Sequence, residues 1–78
     1  MNRSTSRTIL SNEDYKRCLQ IALEYVEQHQ SIRNRQLRVA TGINYDQAIA
    51  FFNRAIKANH LIRQGKGSGT YYVKLVER

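Results

Sequence analysis

Hydrogen-bonding side chains lie at spacings in segment 44–58 that place them on one side of a helix. The opposite side carries most of the apolar residues. In the major groove of a DNA duplex, asparagine and glutamine can pair with adenine and arginine with guanine, while alanine can contact a thymine methyl group. An ordinary solvated polar face is the alternative. The residues that could read bases in this way are Gln47, Ala50, Asn53 and Arg54.

The glycine-rich segment 61–73 is the second region with recognisable chemistry. It holds all but one of the chain's 4 glycines, flanked by residues suited to short strands. Glycine readily adopts the positive φ angles of a tight turn, so the segment predicts a β-hairpin. Arg63 and Lys66 put positive charge near the turn, as contact with a phosphate backbone requires. A nucleotide-binding loop is excluded because no helix follows, whereas a solvated turn without a ligand stays open.

Capping residues predict the helices that must position these side chains. Ser11 and Asn34 are suited to begin two helices, and Asn44 with Gln47 three residues later can form a capping box. Gly42 occupies a position where a helix end needs a left-handed residue. The first predicted helix ends near residue 30. The second covers residues 35–41 and the third covers residues 45–58.

The apolar residues predict which helix faces are buried. The first helix has a stripe at three- and four-residue spacing: Tyr15, Cys18, Leu19, Ala22, Leu23 and Val26. The second helix is expected to bury Leu37, Ala40 and Val39. For the third, the predicted core side is Tyr45, Ala48, Ile49, Phe52, Ala55 and Ile56. Phe51 lies between the faces and could complete the core, stack on DNA or contact a protein. Segment 31–33 is long enough only for a bridging strand.

Charge is distributed unevenly along the chain. The 78 residues carry a formal net charge of +7 at pH 7, yet acids outnumber bases in segment 9–30. The basic excess therefore lies in the N-terminal arm and in residues 31–78. This asymmetry predicts one side that faces a polyanion and one that faces solvent.

Several classes of function are disfavoured by residue type. A single cysteine, Cys18, excludes an internal disulfide, and His29 and His60 have no ligand-type partners at metal spacing. No catalytic pair is visible, so we expect neither enzymatic activity nor a cofactor or metal. Without a long apolar run or a signal peptide, we expect a cytoplasmic, nucleoid-associated protein with no membrane partner.

In their order and spacing, segments 37–43, 44–58 and 61–73 resemble a winged helix-turn-helix DNA-binding domain. The resemblance covers nearly all of residues 11–76, and is in particular to winged-helix modules whose wing reads basic-glycine-glycine-Thr-Tyr-Tyr. Such modules occur as free-standing bacterial and phage regulators and as appended domains of larger proteins. It implies a mainly α fold with small β (α+β), with three helices and a C-terminal antiparallel β-hairpin wing. Helix 45–58 would enter the major groove, and the 64–70 wing would lie on the phosphate backbone.

Charge and the resemblance together imply a set of backbone contacts: Arg33, Asn34, Arg35, Tyr45, Lys57, Arg63, Lys66, Ser68 and Thr70. Asp46 departs from a cationic recognition helix, and would either read cytosine or interact with the helix dipole. The implied function is sequence-selective binding of double-stranded DNA in transcriptional regulation. A protein-interaction or architectural module is the alternative. RNA binding through Tyr71 or Tyr72 is a third, in which at most one ring is available because adjacent strand residues face opposite ways.

The predicted domain organisation is a flexible basic arm over residues 1–10, containing Arg3 and Arg7, followed by a single domain over residues 11–76. Ile21 and Tyr25 lie beside the apolar stripe of the first helix. They either cover the edge of the core or form a homodimer contact. A protein partner is also compatible with these residues.

Overall fold

The structure is a computed structural model that describes residues 10–75. Its elements in chain order are α1 (Asn12–His29), α2 (Asn34–Thr41), α3 (Tyr45–Lys57), β1 (Leu61–Gln64), a 3-10 helix (Gly67–Gly69) and β2 (Tyr71–Lys74). Three helices followed by an antiparallel hairpin confirm the predicted α+β class and its winged-helix-like arrangement. Most of the predicted arm, including Arg3 and Arg7, lies outside the described residues, whereas Leu10 packs half-buried against the core.

The predicted caps of α1 and α3 are confirmed by their hydrogen bonds. The Ser11 hydroxyl accepts from the backbone N–H of Asp14 at 3.1 Å. Asn44 and Gln47 form a reciprocal capping box, in which each side chain accepts from the other residue's backbone N–H, at 2.7 and 3.0 Å. Gly42 ends α2 in the left-handed region, with φ of 85°. Sequence-local interactions therefore set these helix ends.

α2 differs from its predicted form at its start and on its buried side. It begins at Asn34 rather than Arg35, and the backbone N–H of Arg33 donates to the Gln36 side chain at 2.8 Å. Leu37 is buried as predicted, but Val39 is 78% exposed and Ala40 is also exposed. The prediction for these two residues is wrong because a helix this short places only one row against the core, and Val39 lies about 200° around the axis from Leu37.

The hairpin forms a small sheet with one additional bridge. β1 and β2 pair in an antiparallel register that places Arg63 opposite Tyr72. Ile32 pairs with Tyr72 on the other side of β2, through backbone hydrogen bonds of 2.9 and 2.8 Å, so the predicted bridging strand is confirmed. β2 is thereby held between β1 and the segment that leads into α2.

The connection between the strands is longer than the predicted tight turn. It runs from residue 65 to residue 70 and contains the 3-10 helix. Gly65 and Gly67 have positive φ, as predicted for a glycine turn. The backbone N–H and hydroxyl of Thr70 both donate to the Gly67 carbonyl, at 3.2 and 2.9 Å. These bonds close a turn of 3-10 helix inside the loop, which makes the connection longer than a tight turn.

Aromatic rings cross the core from α1 to β2. Tyr15 lies 5.5 Å from Phe51 between ring centroids, and Phe51 lies 5.2 Å from Phe52. Phe52 stacks on Tyr72 at 3.8 Å with the rings nearly parallel. Phe51 is fully buried, so of its three open roles the structure selects the core. α3 is thus fixed against α1 on one side and the sheet on the other.

The buried face of α3 is rotated relative to the prediction. Its buried residues are Ala48, Phe51, Phe52 and Ala55. Tyr45 and Ile49, predicted to face the core, are instead 55% and 37% exposed. The bulky Phe51 takes the interior position between α1 and the sheet, so the Tyr45–Ile49 edge turns outward toward the hairpin.

Candidate nucleic-acid interface

A cleft of about 630 Å³ lies between the N-terminus of α2, one edge of α3 and the hairpin. Its lining includes four arginines and no acidic residue, so charge of one sign converges on it. The cleft residues are Arg33, Asn34, Arg35, Gln36, Arg38, Tyr45, Ile49, Asn53, Arg63, Gly67, Ser68, Thr70 and Tyr72. A cationic concavity with amide and hydroxyl groups suits a polyanion.

The α2 side of the cleft is ordered by hydrogen bonds within the helix. Asn34 accepts from Nε of Arg38 at 2.6 Å. This leaves the rest of the Arg38 guanidinium near the Tyr45 ring, with 5.5 Å from Cζ to the ring centroid. Arg35 is exposed on the same turn. α2 therefore presents two cations along one wall, of which Arg38 is held by Asn34 and Arg35 is exposed.

The hairpin forms the opposite wall. Arg63 lies on β1, while Ser68 and Thr70 lie in the glycine loop. Nη1 of Arg33 donates to the Ser68 carbonyl at 3.5 Å, at the limit of hydrogen-bonding distance. The loop is thus positioned relative to α2, and the two walls face each other across the edge of α3.

The α3 edge between the walls consists of Tyr45, Ile49 and Asn53, each one helical turn from the next. Tyr72 lies beneath this edge, stacked on the buried Phe52. Burial raises the pKa of the Tyr72 phenol above its ordinary value of 10.0, and the nearby Arg63 guanidinium partly opposes that rise. Tyr72 is therefore neutral at physiological pH and adds no negative charge to the cleft.

The other edge of α3 faces α1. Nη2 of Arg54 donates to Oδ1 of Asn12 at 2.7 Å, and its guanidinium lies over the Tyr15 ring with Cζ 4.1 Å from the centroid. Gln47 is held in the capping box with Asn44. Two of the residues predicted to read bases thus engage partners within the protein.

Tyr15 is buried beneath Arg54 and its hydroxyl has no hydrogen-bond partner among the described residues. Burial raises the pKa of this phenol above 10.0, and the Arg54 charge partly opposes the rise. Burial likewise raises the pKa of the Cys18 thiol. Cys18 is therefore a core residue that stays protonated near neutral pH.

The predicted site residues divide into two groups. The cleft collects eight of them: Arg33, Asn34, Arg35, Tyr45, Asn53, Arg63, Ser68 and Thr70. Outside its lining lie Gln47, Ala50, Arg54, Lys57 and Lys66. The exposed Lys57 and Lys66 lie at the end of α3 and in the loop, so they extend the positive charge beyond the cleft.

Sequence reasoning missed Gln36, Arg38 and Ile49 as cleft residues, and named Tyr72 only as a ring that could stack on RNA. Arg38 follows Arg35 by three residues on a helix, and this spacing could have identified it as a neighbour. Ile49 was assigned to the core by its apolar character. Only the observed rotation of α3 brings it to the cleft.

A metal site requires a cluster of ligating side chains, and a membrane-spanning helix requires a long apolar stretch. Among residues 10–75, no group of three or more His, Cys, Asp or Glu side chains could hold a metal ion. No helix in that range is long and apolar enough to cross a membrane.

Fold and cleft together define a small winged-helix-like domain with a cationic cleft beside its third helix. Comparison with protein-family models, curated proteins and solved structures found no match to this chain.

Proposed function

We propose that this protein binds double-stranded DNA with a preference for sequence and acts in transcriptional regulation. The observation that carries the proposal is the cleft beside the exposed edge of α3, whose lining includes four arginines and no acidic residue. Asp46, exposed in the first turn of α3, lies outside that lining. Bound DNA would bring such a protein to the nucleoid.

The dimensions of a helix and of DNA support this arrangement. An α-helix with its side chains is about 10–12 Å across, and the major groove of B-DNA is about 12 Å wide. The phosphate strands flank that groove on both sides. With α3 in the groove, the cations of α2 would meet one strand and those of the hairpin another, while the α3 edge between them faces the bases.

The test is a fluorescence anisotropy titration with random-sequence duplex DNA at several salt concentrations. If about five phosphates are neutralised, the logarithm of the affinity should fall with the logarithm of salt concentration with a slope of about −4 to −5. Selection of binding sites from random duplexes then tests sequence preference. Failure to bind any duplex at low salt, or binding without salt dependence, would contradict the proposal.

A protein-interaction role is the second candidate, and an exposed apolar surface favours it. Val39 is 78% exposed beside Tyr25 and Ala40, outside the cationic cleft. Of the residues that the sequence suggests for this role, Phe51 is buried, and Ile21 and Tyr25 are half-buried. Sedimentation equilibrium distinguishes self-association: a concentration-dependent mass that Val39→Asp abolishes would support it, and a monomer at all concentrations would exclude a homodimer.

A further inference from the structure

Ile49 is an unexpected residue for the middle of a cationic cleft. Its side chain is β-branched and apolar, yet it is 37% exposed. Its neighbours along the same edge of α3, Tyr45 and Asn53, both carry polar groups. A ligand whose apolar group covers this side chain removes apolar surface from water, which stabilises the complex.

The position of Ile49 relative to the charges indicates which part of DNA it would meet. Arg35 and Arg63 lie on opposite walls of the cleft, on α2 and β1. Phosphate strands lie on both sides of the major groove, and the base edges lie between them. Three residues of α3 lie between the cationic walls: Tyr45, Ile49 and Asn53. The Tyr45 ring already has the Arg38 guanidinium over it, which leaves Ile49 and Asn53 to face the base edges.

The chemical groups on the base edges indicate which base each residue would contact. The apolar group on the major-groove edge of B-DNA is the C5-methyl group of thymine. An asparagine amide matches the N6 donor and N7 acceptor of adenine with two hydrogen bonds. Four residues of helix rise about 6 Å, and base pairs are spaced about 3.4 Å apart. The two contacts would thus fall about two base pairs apart.

We propose, building on the proposed DNA binding, that Ile49 and Asn53 set the sequence preference of this protein. Ile49 contacts a thymine methyl group, and Asn53 pairs with an adenine about two base pairs away. Arg54 and Gln47 do not determine the preferred base, because they lie on the edge of α3 that is bound to α1 and to the helix cap.

Base analogues test this assignment without altering the rest of the duplex. A site selected from random duplexes would be resynthesised with deoxyuridine at each thymidine in turn, which removes only the methyl group. A second series would carry 7-deazaadenine at each adenosine, which removes the N7 acceptor. Affinities are measured for the wild type, Ile49→Ala, Asn53→Ala and the control Arg54→Ala.

We expect one deoxyuridine position to weaken wild-type binding about fourfold, the effect of one methyl group. Ile49→Ala should lose that sensitivity and keep the response to 7-deazaadenine. One 7-deazaadenine position should weaken wild-type binding about fivefold, the effect of one hydrogen bond, and Asn53→Ala should lose only that response. Arg54→Ala should keep both. Ile49→Ser, which also removes the branched apolar side chain and carries no methyl group, provides a second variant if Ile49→Ala does not fold.

The outcomes separate this inference from the function on which it rests. Salt-dependent binding with no response to either analogue would overturn the base assignment and leave DNA binding intact. Retention of both responses in Ile49→Ala and Asn53→Ala would overturn it as well. No binding to any duplex would overturn the proposed function and this inference together.

Discussion

The two edges of α3 carry similar polar groups but have opposite surroundings. Asn53 lines the open cleft between α2 and the hairpin. Its sequence neighbour Arg54 is bound to Asn12 and lies over the Tyr15 ring. One edge is thus available to a ligand, and the other joins α3 to α1. Residue type alone does not separate these roles; the neighbouring element does.

Removal of one arginine from each wall tests the cleft edge most strongly. We expect the double variant Arg35→Ala/Arg63→Ala to weaken binding at least about tenfold for every duplex and to reduce the salt slope by about 2, because two phosphate contacts are lost. Anisotropy titrations measure both quantities. The control Lys16→Glu lowers the net charge by the same amount on α1, at an exposed residue outside the cleft lining. Equal losses in the double variant and in this control would show that net charge, not the cleft, governs binding.

The hairpin wall can be tested through two glycines of the same loop. A Cβ added at Gly65 would collide with the Gly69 carbonyl, and φ there is +77°. We expect Gly65→Ala to lower the free energy of unfolding by about 1–3 kcal/mol and to weaken DNA binding by displacing the loop. At Gly69 a Cβ meets open space, so Gly69→Ala should change stability by less than about 0.5 kcal/mol. Urea unfolding compares them, and equal stability would show that the loop adapts.

Single substitutions of the adjacent residues Asn53 and Arg54 test whether one edge of α3 binds DNA and the other joins α3 to α1. The sequence alone predicts that Arg54→Ala relaxes specificity at one base. From the structure we expect Arg54→Ala to lower the free energy of unfolding by about 1 kcal/mol, because a hydrogen bond and a cation–π contact are lost, with base preference retained. Asn53→Ala should change preference and leave stability unaltered. Urea unfolding and site selection measure the two effects, and the reverse pattern would invert the roles of the two edges.

Tyr15→Phe removes one oxygen atom at the edge of α3 that faces α1, and tests whether that oxygen lowers stability. Its hydroxyl is buried without a partner among the described residues, while the ring lies under Arg54. We expect the substitution to raise the free energy of unfolding by about 1 kcal/mol at neutral pH, because an unpaired buried polar group is removed. A loss of stability instead would indicate that the hydroxyl is solvated or bonded in solution.

The smallest effect is an alkaline pH dependence. Burial raises the folded-state pKa of Tyr15 above 10.0, so above about pH 10 the unfolded chain releases this proton first. The folded state then binds more protons than the unfolded state, and stability falls as pH rises through that window. We expect a shallower fall in Tyr15→Phe. Urea unfolding between pH 9 and 11 measures the slopes, and identical slopes would contradict the assignment to Tyr15.

The helix ends could be predicted because their determinants are local. Ser11, Asn44 and Gly42 act through backbone groups within four residues. The glycines likewise predict a turn between two strands, but not the 3-10 helix within it. The face of α3 could not be predicted because its apolar residues occupy a wide arc. Burial of Phe51 rather than Ile49 depends on contacts with α1 and the sheet, which are distant in sequence.

The difference between local and sequence-distant determinants also explains which candidate site residues could be predicted. Charge and the winged-helix resemblance predict Arg33, Arg35 and Arg63 as backbone contacts, and the structure places all three in one cleft. Arg54 was assigned by the hydrogen bonds that arginine can make, but its partner Asn12 is 42 residues away in the chain. Such a pairing leaves no periodic signal in the sequence.

Chemical-shift mapping with isotope-labelled protein and duplex DNA would show which edge of α3 contacts DNA. We predict that the largest changes occur at the methyl groups of Ile49, the side-chain amide of Asn53 and the backbone amides of the glycine loop. The amides of α1 and the side chain of Arg54 should change little. Changes centred on α1 and Arg54, with the cleft unaffected, would show that DNA does not bind in the cleft.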